Sequence, residues 1–136
     1  DLSSNSELKP AMRFETAVLA VRRIAAGEAV GYGGHWIARR DSLIATLPVG
    51  YGDGYPWAAQ NGTPIEINGS LAPLVGRVSM DMLTVDVTDC DDVEIGTRAV
   101  LWGHNPGIDE VAAASGTIGY ELMTRMTGRA KRCYEK

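Results

Sequence analysis

Hydrophobic residues recur at every second position over much of the chain, which is the pattern of half-buried β-strands. The longest such stretch runs from Met12 to Ile24 and predicts one long strand. Its faces carry Met12, Phe14, Thr16 and Val18 on one side and Ala17, Leu19 and Val21 on the other. The segments "SLIATLPVG", "MLTVDVTD" and "TRAVLWG" predict three further strands.

A tight hairpin is predicted at Asn68-Gly69, because both residue types tolerate positive φ. The paired strands would be the flanking segments that contain Ile65 and Ile67 on one side and Leu71 and Leu74 on the other. Turn residues recur at intervals typical of a sandwich or barrel.

Only the end of the chain has helical spacing. Ile108, Val111, Ala112 and Ser115 fall at i, i+3, i+4 and i+7, and Gly116 would end that helix. A second run, "TIGYELMTRMTG", has helical end signals at Thr117 and Gly128. The fold class is therefore all-β (mainly β), Greek-key or barrel-like, with one or two short helices near 107–127. The polar segment 1–10 is expected to be a linker.

Composition favours one globular domain, since 136 residues with 45% hydrophobic content suffice for a single core. The net charge of −4 and the scattered cations argue against nucleic acid or anionic lipid as a partner. No apolar run is long enough for a membrane helix and no signal peptide is recognisable, so we expect no membrane association and a cytoplasmic location. Cys90 and Cys133 are isolated and are expected to be reduced.

The hexapeptide "GYGGHW" places Tyr32 among three glycines, which either let the chain bend or keep bulk away from the tyrosine ring. A tyrosine acts as a general base only if a cation lowers its pKa from about 10. The local cations are His35, Arg39 and Arg40, and the two arginines follow Trp36 on a predicted strand, so at most one faces the tyrosine. From these residues alone, a packed tyrosine on a surface turn is the favoured interpretation of the hexapeptide.

Two other motifs indicate structure more than chemistry. The glycines of "GYGDGY" are not followed by a helix that could bind phosphate, so they predict tight backbone geometry. The acidic run "TDCDDVE" lacks the ligand spacing of a calcium loop and predicts a solvated loop between strands, with no metal.

Taken in order, "AGEAVGYGGHW", "LPVGYGDGYP", "VGRVSMDMLTVDV" and "YELMTR" closely resemble the C-terminal domain of alanine racemase, an enzyme that uses pyridoxal 5'-phosphate. The likeness extends from about Leu8 to Tyr134. It implies that residues 11–136 form the C-terminal β domain and that the N-terminal cofactor-binding barrel is absent from this chain. It also implies a head-to-tail homodimer acting on a small amino acid.

Two tyrosines take roles from this resemblance. Tyr32 matches the catalytic tyrosine that exchanges the α-proton on one face of the substrate, in the active site of the other subunit. Tyr120 of "YE" matches a tyrosine that contacts the cofactor phosphate.

Substrate-binding residues are implied in the two middle motifs. Met80 matches a position whose backbone amide meets the substrate carboxylate, and Asp81 lines the same site. Arg77 and Tyr51 match residues of the channel by which substrate reaches it. Trp57 departs from the family, which usually has arginine after "GYP", and this puts the channel charge and the substrate preference in doubt.

The resemblance further implies that a lysine of the barrel holds the cofactor covalently. The lysines present, Lys9, Lys131 and Lys136, are not in that context, so the chain alone is expected to be inactive. Two alternatives stay open: a non-catalytic β module that binds a partner, and the equivalent domain of a related amino-acid racemase or decarboxylase.

Overall fold

The computed structural model describes residues 12–30, 36–103, 106–116 and 132–134. Within these ranges the chain forms ten β-strands, one α-helix and one 3₁₀ turn. The strands are β1 (Met12–Ala17), β2 (Ala20–Ile24), β3 (Ala29–Val30), β4 (Trp36–Ile37), β5 (Ser42–Leu47), β6 (Pro64–Ile67), β7 (Ser70–Val75), β8 (Leu83–Asp86), β9 (Arg98–Trp102) and β10 (Arg132–Tyr134). The helix α1 is Ile108–Ala114 and the 3₁₀ turn is Tyr51–Asp53.

Eight of the described strands form one antiparallel sheet in the order β10-β1-β9-β6-β7-β8-β5-β2. The strands β1 and β2 lie near opposite ends of this order, yet only two residues separate them along the chain. The sheet must therefore curl until its two ends approach each other. This arrangement confirms the prediction of an all-β, barrel-like domain.

The long strand predicted from Met12 to Ile24 was wrong in one respect, because the chain changes partner in its middle. The Val18 N–H donates to the Thr97 carbonyl at 2.8 Å, next to the β1–β9 pair, whereas the Leu19 N–H donates to the Thr46 carbonyl at 2.8 Å, beside β5. The break therefore comes from a corner of the curled sheet. The alternation of faces continues across it, since Val18 is buried and Leu19 is exposed.

The predicted hairpin is confirmed. Ile67 pairs with Ser70, and the two turn residues between them, Asn68 and Gly69, have φ values of 50° and 87°. These left-handed conformations suit asparagine and glycine and match the twist of the flanking strands. The strands predicted in the other three segments are confirmed as β5, β8 and β9.

The interior of the curl holds the main hydrophobic core. Side chains enter this core from seven strands of the sheet, namely β1, β2 and β5 to β9. The helix α1 covers it with Val111 and Ala112. The core includes Phe14, Val18, Leu47, Ile65, Leu74, Val85, Leu101 and Trp102. The helix predicted near residue 108 is confirmed, while the second run, 117–128, lies outside the described residues.

A smaller cluster attaches the β3–β4 hairpin to the sheet. Val30, Ala38, Ile44 and Val75 are buried in it together with Ile24, and Trp36 packs against them. The strand β4 ends at Ile37, so the prediction that Arg39 and Arg40 continue a strand was wrong: the chain turns there in order to enter β5.

In the described ranges no helix is long and apolar enough to cross a membrane. The expected linker, residues 1–10, lies outside these ranges, and the cytoplasmic location stays a prediction.

Candidate functional site

Two loops that are far apart in the sequence meet at one end of the domain. The first contains the 3₁₀ turn Tyr51–Asp53, and the second connects β7 to β8. The Tyr51 N–H donates to the Ser79 carbonyl at 3.0 Å, and the Gly52 N–H donates to the Met80 carbonyl at 2.8 Å. Backbone hydrogen bonds therefore join the loops, and their relative position does not depend on mobile side chains.

Gly50 explains why the loops come so close. A Cβ atom at this position would lie 2.2 Å from the Ser79 carbonyl oxygen and 2.6 Å from the Met80 carbonyl oxygen. No rotamer change relieves a clash with backbone atoms, so only glycine fits. The tight geometry predicted for the glycines of "GYGDGY" is confirmed at this residue.

A cavity of about 670 Å³ lies between the joined loops, within the size range of small-molecule sites. Its lining consists of Tyr51, Trp57, Ala58, Ala59, Arg77, Val78, Ser79 and Met80. The side chains of Tyr51, Trp57 and Met80 are 48%, 68% and 55% exposed, respectively. The wall is therefore mostly apolar, and Arg77 is its only charged residue in the described part of the chain.

Two hydrogen-bond donors at this cavity are unused within the described ranges. None of the ion pairs found there involves Arg77. The Met80 carbonyl accepts from Gly52, but no described residue accepts a hydrogen bond from the Met80 N–H. A guanidinium and a backbone amide from the lining of the same mostly apolar cavity are suited to binding a carboxylate.

The structure brings three of the six predicted site residues together, since Tyr51, Arg77 and Met80 all line the cavity. Asp81 follows Met80 in the same loop but is exposed and does not belong to the lining. Tyr32 and Tyr120 lie outside the described residues. Tyr32 belongs to the connection between β3 and β4, and this hairpin packs against Val75, two residues before Arg77.

Asp53 holds the 3₁₀ turn, and it was not among the residues predicted from the sequence. Asp53 is only 5% exposed, and its Oδ2 accepts the Gly50 N–H at 3.0 Å. The motif "GYGDGY" carries a signal for this role, because an aspartate in a tight turn accepts hydrogen bonds from nearby backbone amides.

The acidic run behaves as predicted, as a solvated loop between β8 and β9. Asp89, Asp91, Asp92 and Glu94 are exposed, and Asp89 pairs with Arg40 at 2.8 Å. In the described ranges no group of three His, Cys, Asp or Glu residues is close enough to hold a metal ion.

Comparison with known proteins identifies relatives over nearly the whole chain. Residues 11–134 match the sequence model of the family described as "Alanine racemase, C-terminal domain". The alanine racemase of Pseudoalteromonas atlantica is 57% identical over 127 residues, which is 93% of this chain and 34% of that protein.

Solved structures agree. The biosynthetic alanine racemase of Pseudomonas aeruginosa superposes with a TM-score of 0.92 at 47% identity, covering 98% of this chain and 37% of that one. The alanine racemase of Bartonella henselae, solved with covalently bound pyridoxal phosphate, gives a TM-score of 0.83 at 38% identity, covering 89% and 34%. The chain thus spans about a third of the length of the relatives it matches.

Proposed function

Since residues 11–134 match its family model, the chain belongs to the alanine racemase C-terminal domain family, and we propose that residues 11–136 serve as this domain in an enzyme that interconverts L- and D-alanine. The observation that supports this most directly is the apolar cavity at the joined loops, with Arg77 and the Met80 N–H as donors.

In this proposal the cavity receives the amino acid carboxylate. Arg77 attracts the anion, and the Met80 N–H donates a hydrogen bond to one carboxylate oxygen. The small methyl side chain of alanine fits an apolar wall. Tyr51 and Trp57 line the path by which the substrate arrives, and Asp81 lies next to Met80 on the same loop.

Tyr32 is the proposed proton carrier on one face of the substrate α-carbon. Its hairpin packs on the outer cluster around Ile44 and Val75, apart from the main core, and Val75 leads directly into the loop of Arg77. A base on the opposite face and a cation that lowers the tyrosine pKa are then supplied by other parts of the protein. We propose that the second subunit of a head-to-tail homodimer presents them.

Covalent attachment of pyridoxal 5'-phosphate is not assigned to this chain in the proposal. Its three lysines, Lys9, Lys131 and Lys136, do not match the sequence context of the cofactor lysine implied by the family resemblance. The proposal therefore assigns the cofactor to an N-terminal barrel domain, with Tyr120 contacting its phosphate, and expects this chain alone to be inactive. The chain's share of about a third of its relatives' length is in keeping with a further domain.

The decisive variant is Tyr32→Phe in the full-length protein that contains this chain. Loss of the hydroxyl removes the proton carrier on one face, so we expect kcat for racemisation to fall by about 10² to 10⁴. The measurement is the rate of D-alanine formation from L-alanine and of the reverse reaction. Tyr55→Phe is the matched control, since Tyr55 is buried in the core, and it should keep the wild-type rate. Wild-type rates for Tyr32→Phe would exclude the proposed role.

A related racemase or decarboxylase of another amino acid is the second candidate, and Trp57 supports it. This ring is 68% exposed in the cavity wall, where it offers apolar contact area to a substrate side chain longer than the methyl group of alanine. The test is a panel of L-amino acids offered to the full-length protein, with inversion and release of carbon dioxide both measured. We expect kcat/KM to be higher for alanine than for any other amino acid of the panel. A higher kcat/KM for a bulkier amino acid would favour the second candidate.

A further inference from the structure

The turn at residues 50–53 is closed by two reciprocal hydrogen bonds. The Asp53 carboxylate accepts the Gly50 N–H at 3.0 Å, and the Asp53 N–H donates to the Gly50 carbonyl at 3.0 Å. Asp53 is 5% exposed, so its charge has been taken out of water in order to hold this turn. A buried carboxylate that accepts backbone amides makes hydrogen bonds stronger than neutral ones.

The closed turn also fixes the backbone of the loop between β7 and β8. Within the turn, the amides of Tyr51 and Gly52 donate to the carbonyls of Ser79 and Met80 in that loop. Gly50 lies in contact with both carbonyl oxygens. The Ser79 side chain adds a local constraint, since its Oγ accepts the Met82 N–H at 3.0 Å. Hydrogen bonds therefore fix the backbone on both sides of the contact between the two loops.

Peptide geometry carries this constraint to the substrate-binding donor. The Ser79 carbonyl and the Met80 N–H belong to the same planar peptide unit, in which N–H and C=O point in opposite directions. Because the Tyr51 N–H fixes the direction of the Ser79 carbonyl, it also fixes the direction of the Met80 N–H, on the side away from the turn.

We propose that Asp53 is a positioning residue: by closing the 50–53 turn it orients the Met80 N–H toward the substrate carboxylate. This inference rests on the proposed function of that amide. It assigns to Asp53 the role of an acceptor for the Gly50 N–H, without contact with substrate or cofactor.

The test compares Asp53→Ala with Asp53→Asn in the full-length protein. Alanine leaves the Gly50 N–H without this acceptor, so we expect KM for alanine to rise about tenfold, the effect of losing one well-placed hydrogen bond. The value of kcat should stay within about twofold, because the carboxylate is bound alike in the ground state and the transition state. Asparagine keeps an oxygen at the same place, so both constants should stay within about twofold of wild type.

The matched control is Asp86→Ala. The Asp86 carboxylate also accepts a nearby backbone amide, that of Thr88 at 3.0 Å, but at the end of β8 remote from the cavity. This variant should lower thermal stability without raising KM. If Asp53→Ala does not fold, Asp53→Ser replaces it, since a serine hydroxyl is a weaker acceptor, and an intermediate KM is expected.

Hydrogen exchange gives a readout that does not depend on activity. The amides of Tyr51 and Gly52 should exchange faster in Asp53→Ala and at the wild-type rate in Asp53→Asn and Asp86→Ala. Unchanged KM and exchange in Asp53→Ala would overturn the inference, as would an Asp53→Asn variant as impaired as alanine. A wild-type enzyme without alanine turnover would instead refute the proposed function, while the exchange experiment would still test whether Asp53 closes the turn.

Discussion

Two tyrosines of the same hexapeptide, "GYGDGY", have opposite surroundings. Tyr55 is 1% exposed and stacks on Trp102 with ring centroids 6.0 Å apart, and Trp102 packs against Phe14 in a T-shaped arrangement with ring centroids 4.8 Å apart. Tyr51, four positions earlier, is 48% exposed and lines the cavity. The turn between them thus separates the buried core from an exposed rim. This rim consists of Tyr51, Trp57, Met80 and Met82 on the two joined loops.

The rim is unlike an ordinary surface. Tyr51, Trp57 and Met80 are exposed and line one cavity, and Met82 is exposed on the same loop as Met80. Exposed apolar areas of this kind mark binding sites for ligands or other protein surfaces. We therefore expect stability to depend mainly on the core, and we expect the rim to serve binding.

Matched tryptophan variants test this division most strongly. Trp102→Ala removes a fully buried ring that contacts both Phe14 and Tyr55, so we expect the free energy of unfolding to fall by about 4 kcal/mol. Trp57→Ala removes an exposed ring and should change it by less than about 0.5 kcal/mol. Urea denaturation followed by circular dichroism gives both values. Similar losses in the two variants would mean that the rim is part of the core.

The contact between the two joined loops is tested by Gly50→Ala. The added Cβ would lie 2.2 Å from the Ser79 carbonyl oxygen, so the loops must separate, and we expect a loss of about 3 kcal/mol. Gly107→Ala is the matched control, because its φ is −81° and no heavy atom lies within 4 Å of its Cβ position. It should stay within about 1 kcal/mol of wild type. A Gly50→Ala variant as stable as this control would show that the two loops do not need close contact.

Local patterns predicted most of the fold. The alternation in "MLTVDVTD" correctly predicted the strand β8, and Asn68-Gly69 correctly predicted the hairpin, because both signals act over a few residues. The corner at Val18 was not predictable in this way. Its alternation is the same as in a continuous strand, and only the distant partners Thr97 and Thr46 reveal the change of direction.

The candidate site was predictable only in part, for the same reason. The family resemblance named Tyr51, Arg77 and Met80, which do meet at one cavity. The contact of Gly50 with the Ser79 carbonyl joins segments distant in sequence, and no local pattern encodes it. The carboxylate of Asp53 in "GYGDGY" is a local signal, but its part in holding Gly50 at this contact became visible only with the structure.

The smallest expected effect concerns the Tyr55 hydroxyl. Burial raises the pKa of this phenol well above its ordinary value, so the native state keeps it neutral. In the unfolded chain the phenol ionises near pH 10. The stability that the neutral phenol contributes is therefore complete below about pH 10, and it declines by up to about 1.4 kcal/mol for each further pH unit.

Tyr55→Phe removes this titration and keeps the ring packing. In the described ranges the Tyr55 hydroxyl has no hydrogen-bond partner, so the variant should lie within about 1 kcal/mol of wild type at pH 7. Between pH 10 and 11 its free energy of unfolding should fall by about 1 kcal/mol less than that of wild type. The measurement is urea denaturation across this range, with Tyr51→Phe, a change on the exposed rim, as the matched control. Identical alkaline slopes for Tyr55→Phe and the wild type would contradict the prediction.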